Sequence, residues 1–405
     1  MKIVITTSGI GSRLGDITKF TNKSISFVGK KFVINHIIDT FLRTENVEFI
    51  ITLGHYGDFV KQFLKLAYPD INFIYVNIDN YKDEGSSLVY SLLQCKNIIK
   101  EPFIYSCCDA IFDERIELNL DRNTLFVADT NDSYRYSTIS VNDDKILKIH
   151  NKGAKIFDYM YVGVAYIKDY SLFFELADNL YNSDKNNSQL SDMNVYQIMI
   201  DMNIVFNYKY VKKYFDIGSL DTYKKTCNYF KSEFDVLEKI EESICFLDNK
   251  VIKFFYNKKK NLDRIERLKY LNNLTPKILA VSENFYSMEF IDSKPLSKIY
   301  KSGTIYKLLN WTHKNLWSSK VDIDLNLFKE SCLKFYKDKT LSRIKKGLEE
   351  KTIVDYSKIN GCFIEDIYSM MEKIDFNFLS DGQPGYFHGD FILDNFLIKD
   401  DNFVL

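Results

Sequence analysis

Near the start of the chain Gly9 and Gly11 flank a single residue, Arg13 follows two positions later, and Lys23 arrives ten residues beyond that. Glycines so spaced let backbone N–H groups approach an anion where a side chain would collide. A P-loop would need G-x-x-x-x-G-K-[ST], and no such string occurs. A dinucleotide fingerprint would need G-x-G-x-x-G, but Leu14 holds the sixth place and Gly15 comes one later. Asp39, 24 residues after Gly15, stands at a distance suited to a ribose, yet that reading leaves Arg13 and Lys23 without a task. A phosphate cradle of another kind uses all four residues, and a plain turn between strand and helix is its alternative. Two acidic residues extend the pattern: Asp109 ends the apolar run PFIYSCCD, and Asp216 sits in KYFDIGSL. Alone, a strand-end aspartate is more often a cap or turn residue. As a pair, two carboxylates suit Mg²⁺, a hard ion that takes oxygen ligands and retains waters.

The string Gly9-Ile10-Gly11-Ser12-Arg13-Leu14, followed by Lys23, resembles the G-x-G-x-R-L … K signature of the nucleotidyltransferases that act on sugar phosphates and phosphocholine. Asn22 stands where that family usually carries proline, and TTS replaces its Leu-Ala-Ala. The resemblance implies that Ser8, Gly9, Gly11 and Ser12 bind a nucleoside triphosphate. It implies that Arg13 and Lys23 are catalytic, neutralising charge on the α-phosphate and the departing pyrophosphate. Asp109 matches the family's first Mg²⁺-binding aspartate. KYFDIGSLDTYKK resembles its W-x-D-[IV]-G-[ST]-x-x-x-[FY] element, with Phe or Tyr for Trp, which makes Asp216 the second metal ligand.

DEGSSLVYSL places Gly85, Ser86 and Ser87 where the family recognises nucleobase and acceptor. HNKGA offers Lys152, and YVGVAYI offers Gly163, where it contacts the acceptor phosphate or sugar. For each of these five a loop or packing role is equally open. The resemblance spans residues 1 to about 228. In the implied reaction an acceptor phosphate oxygen attacks the α-phosphorus in line and expels pyrophosphate. A phosphate monoester is already ionised near neutral pH, so positioning and charge neutralisation replace a strong general base.

HGDFILDNFL, residues 388–397, resembles the H-G-D-x-x-x-x-N loop of the choline kinase and aminoglycoside phosphotransferase family. Its spacing from Asp to Asn equals that of H-R-D-x-x-x-x-N in protein kinases. The resemblance implies ATP as donor, Asp390 as acceptor of the substrate hydroxyl proton, and Asn395 as an Mg²⁺ ligand. KVIKFFY resembles the strand that presents a nucleotide-binding lysine, here Lys253, and Glu266 in LDRIERLKYL is its candidate helix partner or an ordinary solvated charge. MEFIDSKPL resembles the family's hinge. The family's further Mg²⁺-binding Asp would fall on the strand that begins NFVL, where the sequence stops at Leu405. Phosphoryl transfer by this chain is therefore expected to be weak or absent.

The elements that must position these residues read as α/β up to about residue 225. KIVIT, EFIITL, INFIYVNI, PFIYSCC, TLFVAD and YMYVGVAYI read as strands, and STISV with KILKI reads as a hairpin turning at NDD. A helix is expected from Val33 to Leu42, and a long one through SLDTYKKTCNYFKSEFDVLEKIEES. The expected fold is a Rossmann-like, GT-A-type domain with a mixed sheet over residues 1–235. An incomplete α+β kinase-like domain over 236–405 follows, with the boundary near residue 235 inside the long helix. In that second part ICFL and KVIKFFY pair across DNK, and the chain is mostly helical from about 300.

Composition excludes several classes. With 54 basic and 55 acidic residues the net charge is −1, so no global field draws nucleic acid. No run of 18 apolar residues spans a membrane, and the start is too short for a signal peptide. Seven cysteines form no C-x-x-C pair, which fits a reduced, cytoplasmic compartment. The order of the two halves suggests a bifunctional enzyme for bacterial capsule or surface polysaccharide: one half phosphorylates an alcohol, the other activates that phosphate, with CTP favoured. UTP or GTP with a sugar 1-phosphate, and a non-catalytic ligand-binding second half, are the alternatives. An NAD-linked oxidoreductase leaves both Asp109 and Asp216 idle. The oligomeric state is left open, homo-oligomer included.

Overall fold

The computed structural model describes residues 1–42, 47–114, 116, 118–231, 239–271, 274–318, 322–400 and 402–405. They form two compact units, Met1–Glu266 with Lys277–Phe290, and Arg267–Pro276 with Ile291–Leu405. The boundary expected near residue 235 lies outside the described residues.

In the first unit the strands are β1 (Lys2–Thr6), β2 (Phe27–Val28), β3 (Lys31–Phe32), β4 (Glu48–Leu53), β5 (Phe73–Asn77), β6 (Phe103–Cys107) and β7 (Ala110–Phe112). They continue with β8 (Asn123–Ala128), β9 (Thr138–Asn142), β10 (Lys145–His150), β11 (Tyr159–Ile167), β12 (Phe206–Tyr210) and β13 (Tyr214–Asp216). Nine of them build one mixed sheet in the order β5-β4-β1-β6-β11-β8-β12-β10-β9. Strand β1 is parallel to both neighbours, and β11 runs antiparallel to β6 and β8. The central strands are covered on both faces, which is why they read as near-continuous apolar runs. Alternation assigns their side chains to two layers. Ile3, Ile5 and Ile51 pack with α1 (Val33–Phe41) and α2 (Gly57–Ala67), while Val4, Ile50 and Tyr105 pack under α3 (Leu88–Leu93), α4 (Tyr170–Ser183) and α5 (Asp192–Asp201).

The long helix expected through residues 219–243 is two elements. Helix α6 covers only Leu220–Tyr229, and Glu242–Leu247 is strand β14. Phe230 packs its ring on His36 and Phe215, and its carbonyl would lie 2.6 Å from a Cβ on Gly29. Glu242 and Ser243 pair with Phe255 and Phe254, so strand pairing overrides the helix propensity of a Glu- and Lys-rich run.

Strand β14 belongs to a second sheet with β15 (Lys250–Phe255), β16 (Ile278–Val281) and β17 (Phe285–Glu289), in the order β14-β15-β17-β16, with α7 (Lys258–Leu271) between β15 and β16. This sheet shares a core with the first. Cys245, Ile252, Phe254 and Phe285 cluster with Ile34, Phe59 and Phe63. The Phe59 ring meets Phe254 at 5.1 Å, Gln62 Oε1 accepts from Asn284 N–H at 2.9 Å, and Lys250 Nζ donates to the Leu66 carbonyl at 2.8 Å.

The second unit is mostly helical, as expected: α8 (Leu296–Ile299), α9 (Thr304–Thr312), α10 (Leu325–Leu333), α11 (Lys339–Glu349), α12 (Ile367–Glu372) and α13 (Phe376–Leu379). Two small hairpins accompany them, β18 (Lys358–Ile359) with β19 (Cys362–Phe363), and β20 (Leu397–Lys399) with β21 (Asn402–Val404). Leu296, Leu308 and Phe396 form its small core.

Asp192 on α5 is buried in the second layer of the first unit, where the Tyr161 hydroxyl donates to it at 2.7 Å. Burial pushes its carboxyl up from 3.8 to about 6, against the hydrogen bonds that favour the ionised form. The folded state then holds a proton that the unfolded chain releases. Stability should therefore fall as pH rises from about 4 to about 6, by on the order of 3 kcal/mol. Asp192→Asn keeps an oxygen for Tyr161 and should lose this pH dependence. Urea unfolding at pH 4.5 and pH 7.5 should show the variant gaining on the wild type at the higher pH; parallel curves would contradict this.

Candidate active site

Strands β1 and β6 are parallel neighbours with Thr6 opposite Cys107, so the glycine loop and Asp109 leave the sheet at the same edge. Ligands of open α/β sheets collect at that edge. Past β1, the Thr7 hydroxyl donates to the Thr52 carbonyl at 2.6 Å, and the Ser8 carbonyl accepts from His55 N–H at 2.9 Å. A Cβ on Gly9 would meet nothing within 4 Å, so the space beside that residue is open. Gly11 has φ 71°, a left-handed angle, and a Cβ there would press on Thr18 and on Lys23 at 3.3 Å. A 3₁₀ turn, Ser12–Thr18, follows and leaves Ser12 and Arg13 exposed.

Asn22 takes the place of the family's proline at φ −76°, close to the angle a proline would impose. It is fully buried and fully used. Its Nδ2 donates to the carbonyls of Thr7 at 2.8 Å and His55 at 2.6 Å, and its Oδ1 accepts from Ser24 N–H and Oγ–H. These bonds fix the turn that begins with Lys23.

Lys23 Nζ donates to Asp109 Oδ1, and Arg13 Nη2 lies 3.6 Å from Asp109 Oδ2. Burial works against the Lys23 ammonium, but the Asp109 carboxylate and its hydrogen bond outweigh it, so the pKa is raised and the charge is kept. Strand β7 pairs with β13, setting Ala110 opposite Asp216, and Ile217 N–H donates to the Asp109 carbonyl at 3.0 Å. That pairing brings the two carboxylates together. A Cβ on Gly218 would lie 2.9 Å from Asp216 Oδ1, 3.1 Å from Asp109 Oδ2 and 3.6 Å from Arg13 Nη2. Only a glycine leaves that point clear.

Asp216 Oδ1 accepts from Gly218 N–H at 2.7 Å, and its Oδ2 accepts from the Tyr136 hydroxyl at 3.0 Å. Burial and the adjacent carboxylate push the Tyr136 phenol up, so it remains a donor. Tyr136 lies in NDSYRYSTIS, where no spacing marks it out from the sequence. Among the described residues no group of three or more His, Cys, Asp or Glu side chains converges as a metal site. The donor set of two carboxylates instead fits a hard divalent ion that shares its shell with phosphate oxygens and water.

Solved structures resemble this part of the chain. A protein from Bacillus anthracis assigned as a glucose-1-phosphate thymidylyltransferase, solved with sucrose, is 20% identical, with 59% of this chain and 98% of that one aligned at a TM-score of 0.50. The N-terminal part of the chain has the nucleotidyltransferase fold. The CTP:phosphocholine cytidylyltransferase of Streptococcus pneumoniae (22% identity, 57% and 99% of the chains, TM-score 0.49) aligns over a similar share. So does the inositol-1-phosphate CTP transferase of T. maritima (17%, 56% and 95%, TM-score 0.46). No protein-family model and no curated protein matches the chain.

On the nucleotidyltransferase fold, the remaining candidates have visible local tasks. Gly85 has φ 79°; a Cβ would collide with the Lys185 carbonyl, and its N–H donates to Ser188 Oγ at 3.2 Å. Ser86 N–H donates to the Asp83 carbonyl, and Ser87 caps α3 by accepting from Tyr90 N–H at 3.1 Å. Ser91 links this loop to the glycine loop: its hydroxyl donates to the Ser87 carbonyl and lies 3.5 Å from Ser8 Oγ. Gly163, at φ 82°, lets β11 pass against Cys107, where a Cβ would overlap the sulfur. Lys152 is exposed on the turn after β10, beside Gly153, and among the described residues no contact joins it to the carboxylates. Asp39, which a dinucleotide site would turn to a ribose, is held by Lys31 at 2.6 Å and by the Tyr68 hydroxyl at 3.2 Å.

Lys253 lies on β15 between Ile244 and Tyr286, its Nζ 6.0 Å from the Tyr286 ring centre, and Glu266 is exposed on α7. In the second unit, His388 Nδ1–H donates to the Asp390 carbonyl at 3.0 Å and Asn395 Nδ2 donates to the same oxygen at 2.8 Å. Gly389 supplies φ 88° between them. The loop is thus closed on its own backbone, with the Asp390 side chain exposed.

Proposed function

We propose that the first unit transfers a nucleotidyl group from a nucleoside triphosphate to a phosphorylated small molecule and releases pyrophosphate. The observation that carries this reading is the meeting of Asp109, Asp216 and Arg13 around Gly218, next to the loop of Gly9, Gly11 and Lys23. The triphosphate lies along Ser8–Ser12, where the backbone beside Gly9 is open. Lys23 and Arg13, already gathered at Asp109, turn part of their charge to the α-phosphate and the leaving pyrophosphate. Asp109 and Asp216 would hold Mg²⁺, which supplies charge neutralisation at the phosphate oxygens when bound. Tyr136 and Gly218 N–H keep the Asp216 carboxylate aimed at that point. Gly85–Ser87 line the base, and Lys152 and Gly163 the acceptor side, as the sequence resemblance assigns them.

CTP is the favoured nucleotide and an amino-alcohol, polyol or sugar phosphate the acceptor, because the loop His388–Asn395 resembles choline kinases. UTP or GTP with a sugar 1-phosphate is the alternative. The kinase-like part, with Lys253, Glu266, Asp390 and Asn395 in the roles given above, would bind ATP and the alcohol whose phosphate the first unit activates in cytoplasmic steps of surface polysaccharide synthesis, with phosphoryl transfer by this chain itself weak or absent. The Asn395 amide donates to the Asp390 carbonyl, so the two residues of the motif are neighbours in the folded loop.

The test is a pyrophosphate-release screen of CTP, UTP, GTP and ATP against phosphorylated sugars, polyols and amino alcohols with Mg²⁺. Release is expected for one nucleotide with one acceptor class, and not without acceptor. Background rates for every combination would overturn the proposal.

A further inference from the structure

The turn that presents Lys23 is held from two sides. Asn22 ties it to Thr7 and His55 within the nucleotidyltransferase sheet. The other side is aromatic, where Tyr256, the residue after β15 of the second sheet, meets Phe20 and Tyr56. The Phe20 ring lies 4.9 Å from the ring of Tyr256, the Tyr56 ring meets Tyr256 edge-on at 6.0 Å, and the Tyr56 hydroxyl donates to the Lys19 carbonyl at 3.1 Å. Tyr256 is itself anchored at both ends of its backbone: its N–H donates to the Glu241 carbonyl at 2.9 Å, and its carbonyl accepts from Asn284 Nδ2 at 3.0 Å. Tyr56 holds φ 50°, a left-handed angle that a bulky residue keeps only where its surroundings fix it. Its stacking on Phe59, 5.1 Å away, and its contact with Tyr256 are those surroundings.

We infer that Tyr256 is a positioning residue for nucleotidyl transfer: through Phe20 and Tyr56 the second sheet fixes the turn Lys19–Lys23, and with it the place of the Lys23 ammonium. The inference rests on the function proposed above. Among the described residues no contact joins Tyr256 to Asp109 or Lys23; it acts through the rings of Phe20 and Tyr56 and through its hydroxyl's hydrogen bond with Tyr56. The dependence also gives the second sheet a role in transfer that the nucleotidyltransferase sheet alone would not reveal.

The experiment compares the wild type with Tyr256→Ala, Tyr256→Phe and Phe20→Ala in the full chain, with rates expressed per folded molecule and Tm measured alongside. Tyr256→Ala and Phe20→Ala should lower kcat tenfold or more and raise KM for the triphosphate several-fold, with KM for the acceptor unchanged. Tyr256→Phe, which keeps the ring, should restore most of the rate. A purely structural role would lower Tm and leave kcat and both KM values per folded molecule as they were, and that outcome overturns the inference. Should Tyr256→Ala fail to fold, Phe20→Ala carries the same decision. An inactive wild type would overturn the proposed function itself, which the variants' ratios to an active wild type would not.

Discussion

Asp216→Asn is expected to cut pyrophosphate release by about 10²–10³-fold or more while the protein stays folded, and Asp109→Asn to do the same with a measurable loss of stability. Each substitution keeps the shape of the side chain and removes its charge. At position 216 an amide oxygen can still accept from Gly218 N–H, and the Tyr136 hydroxyl can turn to accept from the new amide. The pairing of β7 with β13 is made by backbone and survives. Stability should therefore change by no more than about 1 kcal/mol. At position 109 the loss also strips Lys23 of its carboxylate, and the Lys23 side chain is only 12% exposed. An uncompensated buried ammonium should cost about 1–3 kcal/mol. Rates with the preferred nucleotide and urea unfolding of the same preparations separate the two effects. Retention of more than a tenth of the wild-type rate in either variant would remove the carboxylate pair from the mechanism.

A chain ended at Lys231 should fail to fold as the full protein does, whereas one ended at Phe290 should keep its first unit. The shorter chain lacks β14 to β17 and uncovers the side of α2 where Phe59 and Phe63 pack on Phe254 and Phe285. Each exposed phenylalanine costs about 1.5–3 kcal/mol. Gln62 and the Leu66 carbonyl lose partners on the second sheet, and Asn35 loses the Cys245 thiol. Together these losses approach the 5–15 kcal/mol, roughly, by which most domains are stable. Solubility and thermal melts of the two fragments decide the matter. A 1–231 fragment melting with the full chain would show that the second sheet is dispensable.

The nucleotidyltransferase sheet was legible because its central strands are buried on both faces, so KIVIT, EFIITL and PFIYSCC read as near-continuous apolar runs, with only Thr52 and Ser106 as buried polar residues inside them. One carboxylate was legible for a related reason: Asp109 follows buried β6, where apolar residues give way abruptly to an acid. Asp216 ends the short, half-buried β13 and was legible only through the element KYFDIGSLDTYKK. Asn22 looked like a departure from a proline, and only its four hydrogen bonds show that it does the same job by another route. Tyr136 could not be read from the sequence, since its contact with Asp216 depends on where the chain before β9 crosses the sheet edge. The helix expected through residue 243 failed because Glu242 and Ser243 have partners in Phe255 and Phe254 that local propensity does not register. The shared core of the two sheets was hidden too: Phe254 and Phe285 alternate like any half-buried strand residue, and nothing in that pattern names the surface they cover.

The most direct measurement is binding of Mn²⁺, as a stand-in for Mg²⁺, followed by electron paramagnetic resonance in the presence of a non-hydrolysable triphosphate. If Asp109 and Asp216 hold the ion jointly, the wild type binds one triphosphate-dependent ion in its first unit, and Asp109→Asn and Asp216→Asn each lose it. Undiminished binding in either variant would show that the two carboxylates meet at Gly218 without holding a metal between them.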